Sequence, residues 1–269
     1  MLAYERFGNG EPLVLVHGIG HRRQAWKPVV ERLAEQREVI LLDLPGHGES
    51  PELVLDGRPL KDVLQAELLE LLDELDLHRP HIAGNSLGGR VALEAAADGL
   101  VSSATCLSPA GFWKGDVDFL LVRAHFAALV GAARLTRPVA SRLLQSSHIR
   151  RLMLLSLMSH GDRLSADDVA GDLEGMVAAR HALRGIIAQA YPFDGEIAPD
   201  VPVTIAWGTS DRVLLPYQAE RARRQLPNAE HVWLDGSGHV PMCDDVDGVV
   251  DVLLRGSSHG LRASVDEVA

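Results

Sequence analysis

Cysteine, basic residues and long apolar runs are all scarce in this chain, and each scarcity excludes something. The two cysteines, Cys106 and Cys243, make no disulfide framework and have no metal-ligand spacing. They read as reduced, buried thiols. Lys and Arg number 26 against 37 Asp and Glu, a formal net charge of −11. That balance argues against a nucleic-acid groove or an anionic membrane surface as the main partner. The acidity bears on solubility and names no substrate. The first residues, Met1-Leu2-Ala3-Tyr4-Glu5-Arg6, have no basic region followed by a long apolar core, so no signal peptide is expected. The longest uninterrupted apolar runs fall well short of a membrane span, and a cytoplasmic location follows by default. No His, Asp or Glu pair has ligand spacing, so neither a metal nor another cofactor is expected. No internal repeat or low-complexity segment is evident.

What is present fits an ordinary globular protein. Apolar residues are 46% and charged residues 23% of 269, enough for one large α/β domain or a core with an inserted subdomain. Residues 2–7 read as a short edge strand. Leu13-Val14-Leu15-Val16 and Val39-Ile40-Leu41-Leu42 are apolar on both faces, as buried parallel strands are. Further strands are predicted over 80–83, 101–107, 203–207 and 231–234. Helices are predicted over 24–36, 59–77, 90–97, 216–226 and 245–255 from three- and four-residue apolar spacing. Strands alternating with helices give a doubly wound, mostly parallel sheet with its site at the carboxyl ends of the strands. Between 110 and 195 the alternation stops. That segment reads as a helical cap inserted into a core made of 1–109 and 196–269. The polar tail from Gly256 is expected to fray.

The chemistry is concentrated at Gly84-Asn85-Ser86-Leu87-Gly88, between a strand and a helix of small residues. G-x-S-x-G in that context makes a nucleophile elbow, with the serine on a strained turn and glycines where bulk would clash. Serine needs a base, and the base needs an orienting carboxylate, in the chain order Ser, Asp, His. Asp211 follows the strand at 203–207, and His239 sits in Gly236-Ser237-Gly238-His239 after the final strand. Asp235 is a rival acid. Of the 12 histidines, His47, His81, His125 and His231 read as structural or exposed. The oxyanion hole would take backbone N–H groups from Leu87 and from Ile19 in the loop after the early strand. Met153, Met158, Phe119 and Phe126 are candidates to line an apolar pocket under the cap.

These motifs, with Asp43-Leu44-Pro45-Gly46-His47-Gly48-Glu49-Ser50 and Gly89 after the elbow, resemble the α/β-hydrolase superfamily over nearly the whole chain. The resemblance implies Ser86 as nucleophile, His239 as base and Asp211 as orienter. It also implies a lid between the sixth and seventh strands, and it gives the turn at 43–50 a structural role. The short N-terminus departs from the pattern and suggests missing early edge strands. Serine at the elbow argues against epoxide hydrolases and haloalkane dehalogenases. Val240 stands where carbon–carbon hydrolases usually carry an aromatic residue. The expectation is a cofactor-free serine esterase acting on a small, largely apolar molecule, of unknown oligomeric state. Acyl transfer or carbon–carbon cleavage on the same triad is one alternative. A non-catalytic ligand-binding protein on the same scaffold is another.

Overall fold

The computed structural model describes residues 1–258. One sheet of seven strands runs through them, ordered β1-β3-β2-β4-β5-β6-β7. In chain order these are β1 Tyr4–Phe7, β2 Glu11–Val16, β3 Arg37–Leu42, β4 His81–Asn85, β5 Ser103–Leu107, β6 Val203–Gly208 and β7 Glu230–Leu234. Only β1 is antiparallel, pairing Tyr4 with Leu42 at the edge. The central strands β4, β5 and β6 are buried along their whole length, with His81, Asn85, Ser103, Thr105 and Thr204 as buried polar residues among the apolar ones.

Helices cover both faces. They are α1 Lys27–Ala34, α2 Leu60–Glu74, α3 Leu87–Ala97, then α4 Asp116–Thr136, α5 Ala140–Leu143, α6 Ser147–Leu154, α7 Ala166–Ala178 and α8 Arg180–Ala188, and finally α9 Tyr217–Gln225 and α10 Val246–Gly256. The single helix expected over 24–36 is a 3₁₀ turn, Arg23–Trp26, followed by α1. Pro28 lies in the first turn of α1, where its missing N–H costs nothing. The helix expected over 59–77 ends at Glu74, and Asp76 takes a positive φ of 54° in the turn beyond. Helices α4 to α8 all lie between β5 and β6. By strand count this is one earlier than the resemblance implies, in keeping with a sheet that has a single strand before β2.

Much of the tail expected to fray, 259–269, lies outside the described residues. Ser257, at its start, is buried, and Arg37 donates to its Oγ and its carbonyl at 3.1 Å each. The end of α10 is thereby tied to β3. Both cysteines are free and buried.

The turn at 43–50 is a polar brace beneath the future site. Asp43 is fully buried. Its carboxylate pairs with the Arg23 guanidinium and accepts the N–H groups of Arg23 and Glu49 at 2.7 and 3.0 Å. Gly48 has φ +52°, and a Cβ there would sit 2.1 Å from Asp43 Oδ2. Two histidines finish the brace. His17 donates from Nδ1 to the Gly18 carbonyl at 2.7 Å and accepts Leu44 N–H on Nε2 at 3.0 Å. His47 donates from Nδ1 to the Pro45 carbonyl and accepts Gly20 N–H on Nε2, both at 3.0 Å. A ring nitrogen that accepts an N–H carries no proton, so both imidazoles are neutral. Burial pushes the His17 pKa well below the ordinary range and lowers that of His47 to about 4.

That charge state makes acid stability predictable. The folded pKa lies below the unfolded value of about 6.5, so the unfolded chain binds more protons and stability falls as pH drops below that point. Each ring contributes a loss of about 1.4 kcal/mol per pH unit, continuing for His47 down to about pH 4. Urea unfolding between pH 6.5 and 5 should show this decline. His47→Gln, which keeps an acceptor for Gly20, should make it shallower by about 1.4 kcal/mol per unit. An unchanged slope in that variant would show that His47 is not the titrating group.

Candidate active site

Four loops at the carboxyl ends of β2, β4, β6 and β7 bring the sequence-predicted residues to one place. Ser86 caps α3 with φ 56° and ψ −113°, a conformation costly for any residue with a Cβ. Its surroundings hold it there. Ser86 N–H donates to the Leu107 carbonyl at 2.9 Å, and its own carbonyl accepts Arg90 and Ala110 N–H at 3.0 Å each. The glycines two positions away are demanded by close approach. A Cβ on Gly84 would lie 2.2 Å from the Gly88 backbone, and one on Gly88 2.1 Å from the Val16 carbonyl oxygen.

Asp211 and His239 form the expected pair. Nδ1 of His239 and Oδ2 of Asp211 are 2.8 Å apart, both buried. Oδ1 of Asp211 accepts the N–H groups of Val213 and Leu214 at 2.9 Å each. With the carboxylate so fixed, Nδ1 carries the proton, and the lone pair is left on Nε2. That Nε2 is buried and makes no hydrogen bond among the described residues. Ser86 and His239 line one small recess together with Gly18, Ile19 and Asn85. Ser86 and His239 make no hydrogen bond to one another, a contact that commonly tightens only with substrate bound. The rival Asp235 is exposed and bonds Thr209 Oγ1 at 3.2 Å.

The loop after β2 packs directly on the elbow, since a Cβ on Gly18 would be 3.2 Å from Ser86 Cβ. The Gly18 carbonyl accepts both His17 Nδ1–H and His21 N–H. In a trans peptide the following N–H points the opposite way, so Ile19 N–H is turned from those partners and donates to no group among the described residues. Leu87 N–H opens α3, where helical acceptors are absent. The neutral His17 and His47 thus orient the peptide planes on both sides of Ile19.

Beside the recess runs a larger cavity of about 70 Å³, walled by Ile19, Ser86, Leu87, Phe119, Phe126 and Leu214 among others. Its wall is almost wholly apolar. Phe119 and Phe126 lie there as expected, whereas Met153 faces a separate cavity near Leu129 and Met158 one near Cys243. Three further histidines, read from the sequence as structural or exposed, have other surroundings. His81 Nδ1 is 2.8 Å from Ser103 Oγ, and His231 Nε2 is 2.9 Å from the Leu226 carbonyl. His125 is partly buried in α4.

Two residues outside the expected set complete the site. Asn85 donates through its amide to the carbonyls of Leu107 at 3.1 Å and His239 at 2.8 Å, joining elbow and histidine loop. Asp244 accepts Gly238 and Ser159 N–H on Oδ2 at 2.8 Å each and His160 N–H on Oδ1 at 2.6 Å. Val240 N–H also donates to the Leu157 carbonyl at 2.8 Å. The histidine loop is therefore clamped to residues 157–160 of the inserted segment. Asn85 stood inside the motif, but its amide partner lies 154 residues away; no spacing rule reaches that far.

The chain is similar in sequence and in fold to several known proteins. A dihydrolipoyllysine-residue acetyltransferase component of an acetoin cleaving system from Pseudomonas putida is 31% identical over 251 residues, covering 91% of this chain; the chain spans 63% of that protein's length. Lipase 1 of Psychrobacter immobilis is 27% identical over 262 residues, 93% of this chain and 78% of the lipase. A thermophilic esterase from Thermogutta terrifontis superposes with a TM-score of 0.67 at 21% identity over 99% of this chain and 93% of its own, a likeness of fold. Residues 13–252 match the alpha/beta hydrolase family, and the chain belongs to it.

Proposed function

We propose that this protein is a serine hydrolase that cleaves small, largely apolar carboxylic esters through an acyl-enzyme on Ser86. The observation that carries the proposal is the unpartnered Nε2 of His239. It is oriented by Asp211 across 2.8 Å and buried in the recess that also holds Ser86. His21 also lines that recess with a buried, unpartnered Nδ1, but no carboxylate among the described residues is hydrogen-bonded to it as Asp211 is to His239.

In the proposed reaction His239 Nε2 takes the Ser86 hydroxyl proton as Oγ bonds to the ester carbonyl carbon. The carbonyl electron pair moves to oxygen, and the N–H groups of Ile19 and Leu87 hold that oxyanion. As the C–O bond to the leaving alcohol breaks, His239 returns its proton to the alkoxide. Water, deprotonated by the same nitrogen, then attacks the acyl-enzyme, and the acid leaves with Ser86 regenerated. The segment 110–195 acts as a cap that shapes the acyl cavity. Its apolar wall suits an alkyl or aryl acyl group, and its 70 Å³ suits a short one.

Acyl transfer differs only in what attacks the acyl-enzyme, and the acetyltransferase name of the Pseudomonas putida relative favours it as the second reading. Carbon–carbon cleavage draws less support, because Val240 follows the histidine.

Ser86→Ala should lower p-nitrophenyl acetate turnover by at least about 10³-fold and remove the acyl-enzyme adduct from the intact mass. Wild-type turnover in that variant would overturn the assignment. Product analysis in water with an added alcohol or thiol separates hydrolysis from transfer. If Asp244 positions the histidine loop, Asp244→Asn leaves at least one of three backbone N–H groups without an acceptor. It should cost roughly 1–3 kcal/mol in urea unfolding, with kcat falling about tenfold or more and KM little changed. An unaltered kcat would detach this clamp from catalysis.

A further inference from the structure

The outer face of the inserted helices has a composition unlike the rest of the chain. Helix α4 turns Val117, Leu120, Leu121, Ala124, Ala128 and Leu135 to solvent at three-, four- and seven-residue spacing. Val117 is 71%, Leu120 61%, Leu121 60% and Leu135 83% exposed, values that an isolated surface leucine reaches but a contiguous helical stripe rarely does. Val139 and Leu152 extend the apolar surface, at 50% and 71%. The stretch Asp116–Leu143 is also long and apolar enough to cross a membrane by length and composition, and only 11% of its most apolar window is buried.

Beyond the two acids in the first turn of α4, Asp116 and Asp118, charge is segregated to the same place. Residues 119–161 contain six arginines and no Asp or Glu, in a chain whose net charge is −11. Arg150 and Arg151 are engaged, by backbone carbonyls and by Asp162. Arg123, Arg134, Arg137 and Arg142 have no acidic partner among the described residues, and all four are exposed. An apolar stripe edged by unpaired arginines is the arrangement of a helix that lies in a lipid headgroup layer, apolar side down. The arginines inside the stretch, and the packing of its inner face through Phe126 and Ala133, argue for lying on the bilayer over crossing it.

We infer that the outer face of α4 and the adjoining α5–α6 segment docks this protein on the surface of an anionic lipid bilayer. A second copy is the poorer occupant. A two-fold contact would set the same unpaired arginines against each other, whereas an anionic headgroup layer neutralises them, each cation contributing to the partition. The overall negative charge does not oppose docking, because charges beyond a Debye length of about 8 Å from the bilayer are largely screened. Docking would turn the cap, with Phe119 and Phe126 on its inner side against the acyl cavity, toward the lipid.

The test is co-sedimentation of the purified full chain with vesicles. One set is phosphatidylcholine with an equal part of phosphatidylglycerol, the other phosphatidylcholine alone. The chain should sediment with the anionic vesicles at 50 mM NaCl, release substantially at 500 mM, and leave the neutral vesicles unbound. Arg134→Glu with Arg137→Glu should weaken partition roughly 10- to 30-fold. Leu120→Asp with Leu121→Asp should abolish it at either salt. Both pairs lie off the cavity and should keep wild-type urea midpoints. Equal binding to both vesicle types, no binding to either, or binding indifferent to both pairs would overturn the proposal. So would concentration-dependent self-association without lipid that the Leu pair abolishes, which would assign the face to a second copy.

Discussion

Three backbone segments meet at the elbow with no room for a methyl group at Gly84 or Gly88 and only a tight fit for one at Gly18. The Gly88 position lies against the Val16 carbonyl, Gly84 against Gly88, and Gly18 against Ser86 itself. Because the strands that carry these residues are buried and hydrogen-bonded in register, Val16 beside Gly84 and Gly84 beside Cys106, none can retreat. The left-handed φ of Ser86 follows from this crowding. The chain must reverse from β4 into α3 within a single residue, and the bonds from Ser86 to Leu107, Arg90 and Ala110 leave no relaxed alternative. Strain of about 1–3 kcal/mol at one residue is held by a sheet with far more buried area behind it. The same crowding brings the β2 loop and the start of α3 to opposite sides of one hydroxyl.

Electrostatics around that point works by keeping charge out as much as by supplying it. Asp43 and Arg23 neutralise one another at the bottom of the brace. Directly above, His17 and His47 sit 5.2 Å apart between ring centres and stay neutral. Were either protonated, its Nε2 could no longer accept the N–H that it now holds, and the Gly18–Gly20 loop would lose an anchor. Asp211 is the exception, a buried carboxylate whose oxygens are fully spoken for by two backbone N–H groups and an imidazole. Its negative charge is aimed at one nitrogen. That focus stabilises the imidazolium any proton transfer from Ser86 creates.

What could be read in the sequence, and what could not, divides by the range of the interaction. Buried parallel strands were legible because Leu13–Val16 and Val39–Leu42 are apolar on both faces, a local pattern. Ser86, Asp211 and His239 were legible because each follows a strand, and chain order alone then places them at one edge. Pro28 was read through: three- and four-residue spacing runs on across it, while the chain breaks into a 3₁₀ turn and a helix. Met153 and Met158 illustrate a different failure. In an irregular set of short helices, periodicity tells which residues are inward but not which cavity they meet. Asn85 and Asp244 were invisible because their partners are backbone atoms of distant segments. An acceptor for three N–H groups looks, in sequence, like any Asp near a turn.

Net charge and the charge at a contact are different quantities for a related reason. A sum over the chain is a far-field quantity, meaningful at distances longer than the screening length. At the distance of a contact the field belongs to the nearest few side chains. Here the acids crowd into the Arg23 brace, the termini of α7 and α10 and the exposed face of α2, whereas the stretch from Phe119 to Gly161 has none. A core domain needs acidic and basic residues mixed for its own ion pairs, as between Arg255 and Glu230 or Arg90 and Glu94. A helix whose outer face meets only water has no such need, and water does not select for leucine there either. The contiguous exposed leucine is the unfavourable part for an isolated molecule in solution. Its combination with unpaired arginine makes physical sense for a surface whose working surroundings are partly apolar and carry negative charge.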